Sequence, residues 1–109
     1  MRVLIVEPMR PPEVKDISGT LESMQAIVGG LIQAVYPFEE PVTLICNDEG
    51  KLLNLPANRY VPELPDIICG TFFLCSAPPD SEHFTSLTEE QISRYTQRFA
   101  TPQLSRSDI

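Results

Sequence analysis

Short stretches separated by proline and glycine make up most of the chain and predict strands. The stretches that we interpret as strands are Val3–Val6, Glu13–Ile17, Leu31–Phe38, Val42–Cys46, Lys51–Leu53 and Ile67–Ala77. The last has apolar residues on both faces, so we expect it at the centre of a sheet, with Gly70 marking a bulge or a close backbone approach. Residues 54–66 contain three prolines and predict a rigid, irregular connection.

Two stretches have the spacing of amphipathic helices instead. Apolar residues recur at helical intervals from Leu21 to Leu31, and Gly29-Gly30 supplies a left-handed C-cap. Thr88 and Gln91 form a capping box at the start of the second helix. The predicted order is β-β-α-β-β-β-β-α. We therefore expect an α+β fold with a mostly antiparallel sheet of about five to six strands and two helices on one face.

The length of 109 residues predicts a single domain over residues 1–100, followed by a flexible tail over residues 101–109. The N-terminal apolar run is too short for a signal peptide. No stretch approaches the 18 or so apolar residues that span a membrane. These features predict a cytoplasmic protein that does not bind membranes.

The formal net charge of −7 restricts the classes of partner. Binding to nucleic acid depends on Lys and Arg that displace counterions, so we expect no direct contact with nucleic acid. Solubility is one interpretation of the charge. The other is an acidic face that binds a basic protein, for instance by imitating DNA.

Residues suited to catalysis are few. Cys46, Cys69 and Cys75 lie in apolar contexts without a C-x-x-C motif, and His83 is the one histidine. A zinc site or an activated cysteine is therefore disfavoured, and we expect no cofactor or metal. We predict a protein that is not an enzyme; a small hydrolase built from carboxylates and cysteine is the weaker alternative.

The loop from Asn54 to Arg59 is the strongest candidate for a ligand site. Asn54 and Asn58 can donate and accept hydrogen bonds to the polar edge of a nucleotide, and Arg59 has the donor geometry to clamp a phosphate. In the alternative, both asparagines bond their own backbone and Arg59 pairs with Glu63 or Asp66.

Four further residues extend this candidate site. Tyr36 and Phe38 flank a proline and predict either a stacking wall or the closed end of a core. Thr71 beside Gly70 predicts a hydrogen bond either to a ligand or within the sheet. Asn47 begins a turn, Asn47–Gly50, whose carboxylate spacing does not fit a calcium loop.

Several motifs together resemble a small domain family of unknown function found in bacteriophages and conjugative elements. The motifs are Val28–Gly30, Val35–Phe38, Cys46–Lys51, Leu55–Arg59, Asp66–Phe73 and Phe84–Thr88. The resemblance covers residues 2–100 and implies an accessory protein that counters host defence. It implies no activity and no site residues.

Two functions fit this setting. In the first, the protein is a homo-oligomer that sequesters a nucleotide-type small molecule through the Asn54–Arg59 loop. In the second, it is an acidic interaction module that blocks a host protein.

Overall fold

We describe residues 1–105 of a computed structural model of the chain. Its seven strands and two helices are β1 (Arg2–Val6), β2 (Glu13–Asp16), α1 (Leu21–Val28), β3 (Ile32–Val35), β4 (Val42–Asn47), β5 (Ala57–Val61), β6 (Asp66–Cys69), β7 (Phe72–Ser76) and α2 (Glu89–Arg98). The predicted α+β class and order of elements are confirmed, with a strand count slightly above the five or six expected.

The strands form two antiparallel sheets. The larger sheet has five strands in the order β2-β1-β7-β4-β3, and β5 pairs with β6 in a separate two-stranded sheet. Every residue of β4 and β7 is buried, because these strands lie inside the large sheet and are covered on both faces. The edge strand β2 is exposed along its whole length.

The two helices lie on opposite faces of the large sheet, so the expectation that both cover one face is wrong. Leu4 and Val6 of β1 pack in a cluster with α2 and the β5–β6 sheet. Val3 and Ile5 pack on the other face in a cluster with α1. Successive side chains of a strand point to opposite faces, so apolar residues at consecutive positions require a cover on each side.

The stretch Ile67–Ala77 is two strands rather than one. Gly70 has φ +88°, a conformation that L side chains rarely adopt, and it ends β6 before β7 begins at Phe72. Thr71 therefore lies in the connection and not in a central strand.

Two predictions for the segment before Gly70 are also wrong. The stretch Lys51–Leu53 forms part of a turn rather than a strand. Residues 57–61, predicted as irregular, form β5, since Pro56 and Pro62 flank this strand and neither interrupts its hydrogen bonds.

The predicted helix caps are confirmed. Gly29 adopts a left-handed conformation after α1, and its N–H donates to the carbonyl of Gln25. Thr88 and Gln91 form both hydrogen bonds of the capping box at the start of α2.

The flexibility predicted for residues 101–109 stays a prediction. Within the described part of this segment, the Gln103 carbonyl accepts a hydrogen bond from the backbone N–H of Tyr60 at 2.7 Å. Residues 106–109 lie outside the part of the chain that the structure describes. Between residues 1 and 105, no helix is long and apolar enough to cross a membrane.

Candidate functional site

Asn47 fixes the turn that follows β4. Its side chain is buried; Nδ2 donates to the Val28 carbonyl at 3.1 Å, and Oδ1 accepts the backbone N–H of Glu49 at 2.8 Å. The turn predicted over Asn47–Gly50 is confirmed, and the side chain that begins it ties the turn to the end of α1.

Asn54 ends the turn region in a left-handed conformation, with φ +55°, and is exposed. Its backbone N–H donates to the Lys51 carbonyl at 3.1 Å. Asparagine tolerates this conformation better than most residues, which accounts for an asparagine at this position.

Asn58 is fully buried in β5 and links three parts of the fold. Its Nδ2 donates to the carbonyls of Val6 at 2.8 Å and Gly70 at 2.9 Å, and its Oδ1 accepts from Arg59 Nη1 at 2.8 Å. The amide thus joins β5 to the end of β1 and to the junction between β6 and β7. These bonds connect distant segments, whereas the structural alternative expected Asn58 to bond its own local backbone.

Arg59 is 1% exposed, and acceptors within the protein take all of its N–H groups. Nε and Nη2 donate to the Phe99 carbonyl at 3.1 and 2.9 Å. Nη2 also donates to the Arg10 carbonyl, and Nη1 donates to the main-chain and side-chain oxygens of Asn58. A guanidinium has five N–H donors, so none remains for a phosphate in this conformation.

Neither carboxylate considered for Arg59 is its partner. Glu63 forms an ion pair with Arg98, and Asp66 forms one with Lys51. Within residues 1–105, the acceptors of the Arg59 hydrogen bonds are all carbonyl oxygens, and Arg59 forms no ion pair with a carboxylate. Burial lowers the pKa of Arg59. We infer that Asn58 and Arg59 act as internal connectors between β5, the end of α2 and the segment after β1.

The remaining candidates do not converge on Arg59. Phe38 is half-buried against Tyr95, with ring centroids 4.8 Å apart, and the Arg98 guanidinium lies 4.9 Å from its ring centre. Tyr36 is 61% exposed and lines a different cleft, beside Pro78. The structure therefore supports the interpretation of Phe38 as the closed end of a core and leaves Tyr36 at the surface.

A polar cluster around Glu40 was not predicted from the sequence. Its carboxylate accepts hydrogen bonds from Arg94 Nη1 at 2.8 Å, Tyr95 Oη at 3.0 Å and Gln91 Nε2 at 3.3 Å. Burial, and then the Glu40 carboxylate, raise the pKa of Tyr95. These partners are more than 50 residues apart in the chain, and no local pattern indicates such a contact. The cluster fixes the segment before β4 on α2.

The ion pair between Glu63 and Arg98 predicts a loss of stability in acid. Burial opposes ionisation of Glu63, but the hydrogen bond and charge of Arg98 outweigh it and lower the pKa below its ordinary 4.5. A carboxyl group with a lowered pKa in the folded state stabilises the fold above its ordinary pKa. That contribution is lost as the pH falls below about 4.5 through the folded-state pKa.

We therefore expect Glu63→Gln to show a shallower fall in unfolding free energy between about pH 5 and pH 3 than the wild type. Urea unfolding at a series of pH values measures this. The exposed loop substitution Glu82→Gln serves as the control and should keep the wild-type slope. Equal slopes for Glu63→Gln and the wild type would contradict the assignment.

A cleft lies between the turn after β4 and strand β6. Its volume is about 330 Å³, and its lining includes Asp48, Glu49, Lys51, Asp66 and Cys69. The carboxylates outnumber the one lysine, and that lysine is already paired with Asp66. The cleft therefore favours cationic or neutral groups over phosphates.

The cysteines differ in accessibility, which predicts their order of reaction. Burial raises the pKa of Cys46 to about 11, with a further contribution from Asp48, and burial raises that of Cys75 to about 12. Cys69 is half-buried and borders the cleft. Because the thiolate is the reactive species, Ellman's reagent should modify Cys69 in the native protein and the other two after unfolding. Rapid modification of Cys46 or Cys75 in the native protein would contradict this order.

Ion pairs occupy most of the cations that the structure describes. The pairs are Arg2–Glu89, Lys51–Asp66, Arg94–Glu40 and Arg98–Glu63. Within residues 1–105, the ion pairs and the Arg59 network leave Arg10 and Lys15 as the remaining cations. The described carboxylates outside these pairs are Glu7, Glu13, Asp16, Glu22, Glu39, Asp48, Glu49, Asp80, Glu82 and Glu90. The free charge of the described surface is thus strongly negative.

No group of three or more His, Cys, Asp or Glu side chains within residues 1–105 is arranged to hold a metal ion. The fold and these contacts define a small α+β domain with a buried arginine network and an acidic surface. The chain belongs to the family described as Domain of unknown function (DUF3846), whose model matches residues 1–100. No curated protein and no solved structure matches the chain.

Proposed function

We propose that the protein is a non-enzymatic, acidic interaction module that binds a basic surface of another protein. The observation that carries this proposal is the uneven use of charge: the described cations are mostly held in ion pairs or buried, while many carboxylates are left without a cation. Charge complementarity of this kind guides association and selects the partner.

The acidic turn, defined as Asp48–Leu53, is the part of the surface best suited to this role. Leu52 and Leu53 are 78% and 53% exposed, and Asp48 and Glu49 beside them are exposed carboxylates. Exposed apolar side chains next to charge are typical of protein-binding sites. A partner surface with Lys or Arg around an apolar depression would complement this turn.

The setting of this function is also part of the proposal. The resemblance to small proteins of phages and conjugative elements supports an accessory role in the bacterial cytoplasm, in which the protein blocks a host defence protein. An excess of carboxylates is suited to occupying a surface that otherwise binds DNA.

Capture from a bacterial lysate tests the proposal when it compares matched variants. We expect immobilised wild-type protein to retain a basic partner at low salt and release it as salt screens the charges. Asp48→Asn/Glu49→Gln should reduce capture of this partner at least about tenfold. The control Asp80→Asn/Glu82→Gln removes the same charge from another exposed loop and should retain it. Equal capture by both double variants would contradict the role of the acidic turn.

Sequestration of a nucleotide-type small molecule is the second candidate; the volume of the cleft beside β6 supports it, whereas the charge of the cleft does not. A volume of about 330 Å³ lies at the lower end of the range for small-molecule sites. Lys51 is the one cation in its lining, so a bound phosphate would have to displace Asp66 from it. Calorimetry against cyclic and linear nucleotides tests this candidate. Binding that Lys51→Ala abolishes would support it, and no binding across the panel would exclude it for those ligands.

A further inference from the structure

The strand β3 is an edge of the large sheet, and its outward hydrogen-bonding groups can be assigned. The backbone N–H of Asp48 donates to the Leu31 carbonyl at 2.8 Å, and Thr43 Oγ1 donates to the Val35 carbonyl at 3.0 Å. Both carbonyls therefore point towards β4. Backbone groups alternate in direction along an antiparallel strand, so those of Ile32 and Ala34 point away from the sheet.

The outward side of β3 has no cover in the part of the chain that the structure describes. The outward backbone N–H and carbonyl groups of Ile32 and Ala34 form no hydrogen bond with any other part of residues 1–105. Unpaired strand edges of this kind are ready to pair with another strand.

The opposite edge of the same sheet is protected in the usual way. Strand β2 is fully exposed and contains Glu13, Lys15 and Asp16 among its four residues. Charged side chains on an edge strand resist pairing with a second chain. By contrast, β3 has no charged residue.

The charge distribution indicates which kind of chain β3 can accept. Residues 23–38 are the longest stretch of the sequence without Asp, Glu, Lys or Arg. Two copies of a protein with net charge −7 repel each other over most of their surface. An approach edge-to-edge along β3 brings the uncharged stretch of each copy together. Leu31 and Tyr36, 58% and 61% exposed at the two ends of β3, offer apolar surface to bury in this approach.

We propose that β3 pairs antiparallel with β3 of a second copy, which joins two five-stranded sheets into one across a two-fold axis. In an antiparallel pair, the side chains of directly opposite residues lie on the same face of the sheet. The two-fold axis must therefore pass between two copies of the same residue and not between neighbouring residues. With the axis at Gln33, the outward groups of Ile32 exchange hydrogen bonds with the partner's Ala34. The two Gln33 side chains then lie opposite each other.

Substitutions that place a charge at Gln33 test this interface. The Gln33 side chain is exposed in the single chain, and its one described side-chain hydrogen bond is a long contact of 4.0 Å from Cys46 Sγ. Sedimentation or light scattering should show a dimer of the wild type. Gln33→Glu and Gln33→Lys should each weaken dimerisation at least about tenfold, because like charges then oppose across the axis. An equimolar mixture of the two variants should restore a heterodimer.

Val14→Glu provides the matched control, since it adds the same charge to the β2 edge, and it should leave dimerisation unchanged. A wild-type protein that stays monomeric up to about 100 μM would overturn the proposal. A dimer that neither Gln33 variant weakens, or one that Val14→Glu disrupts, would overturn it as well. These outcomes are independent of the capture experiment, because Asp48 and Glu49 remain unchanged in every protein measured.

Discussion

Arg59→Met is expected to lower the free energy of unfolding by about 3–5 kcal/mol. Methionine preserves much of the apolar stem but removes every donor from the carbonyls of Phe99, Arg10 and Asn58. The bonds to Phe99 and Asn58 are buried, and each buried carbonyl left without a partner costs about 1–3 kcal/mol. Urea unfolding followed by circular dichroism measures the loss.

Arg2→Met is the matched control for this change. Arg2 forms an ion pair with Glu89 in which both side chains are largely exposed, and such pairs contribute about 1 kcal/mol or less. If Arg59→Met were no more destabilising than Arg2→Met, Arg59 would not be an internal connector. A folded, fully stable variant that had lost ligand binding would instead restore the phosphate-clamp hypothesis.

Asn58→Ala is expected to cost about 3 kcal/mol, because two buried carbonyls lose their donor and a small cavity opens. The affected carbonyls are those of Val6, at the end of β1, and Gly70, in the connection between β6 and β7. The exposed Asn54→Gly is the control. Glycine adopts the left-handed conformation of that residue without strain, so the change should stay within about 0.5 kcal/mol.

The double variant Asn58→Ala/Arg59→Met should lose less stability than the sum of the two single losses. The two side chains share a hydrogen bond of 2.8 Å, so the first substitution already removes an interaction that the second would remove. Strict additivity in the same urea experiment would show that the two residues act separately.

The helix caps and the turn after β4 could be predicted from the sequence, because each depends on residues that are close together in the chain. The capping box at Thr88, the glycine cap at Gly29 and the turn beginning at Asn47 depend on residues close together in the chain, and the structure confirms each. For Gly70, by contrast, the sequence predicted only a bulge or a close backbone approach, and not the end of one strand and the start of another. The positive φ at this glycine, which separates two sheets, reflects the packing of β6 and β7 into different layers.

The hydrogen-bond partners in the candidate site could not be predicted from the sequence. Asn58 and Arg59 were correctly singled out as polar residues needing an explanation, and their partners were sought among residues nearby in sequence. Asn58 is adjacent to Arg59, but the other two partners, the carbonyls of Phe99 and Arg10, are 40 and 49 residues away. Because a backbone carbonyl is present at every residue, nothing in the sequence indicates which one an arginine will reach.

The same limit applies to the placement of the helices. Consecutive apolar residues in β1 and β7 indicate that both faces are covered, and this signal was available in Val3–Val6. The two helices were assigned to one face because their patterns alone do not say which side of the sheet each helix packs against.

Nuclear magnetic resonance of the Arg59 guanidinium tests most directly whether this residue is an internal connector and not a ligand clamp. We expect its Nε and Nη protons to give separate signals that exchange slowly with water and do not shift when nucleotides or inorganic phosphate are added. Rapidly exchanging, averaged Nη signals, or signals that shift on adding a nucleotide, would contradict the account.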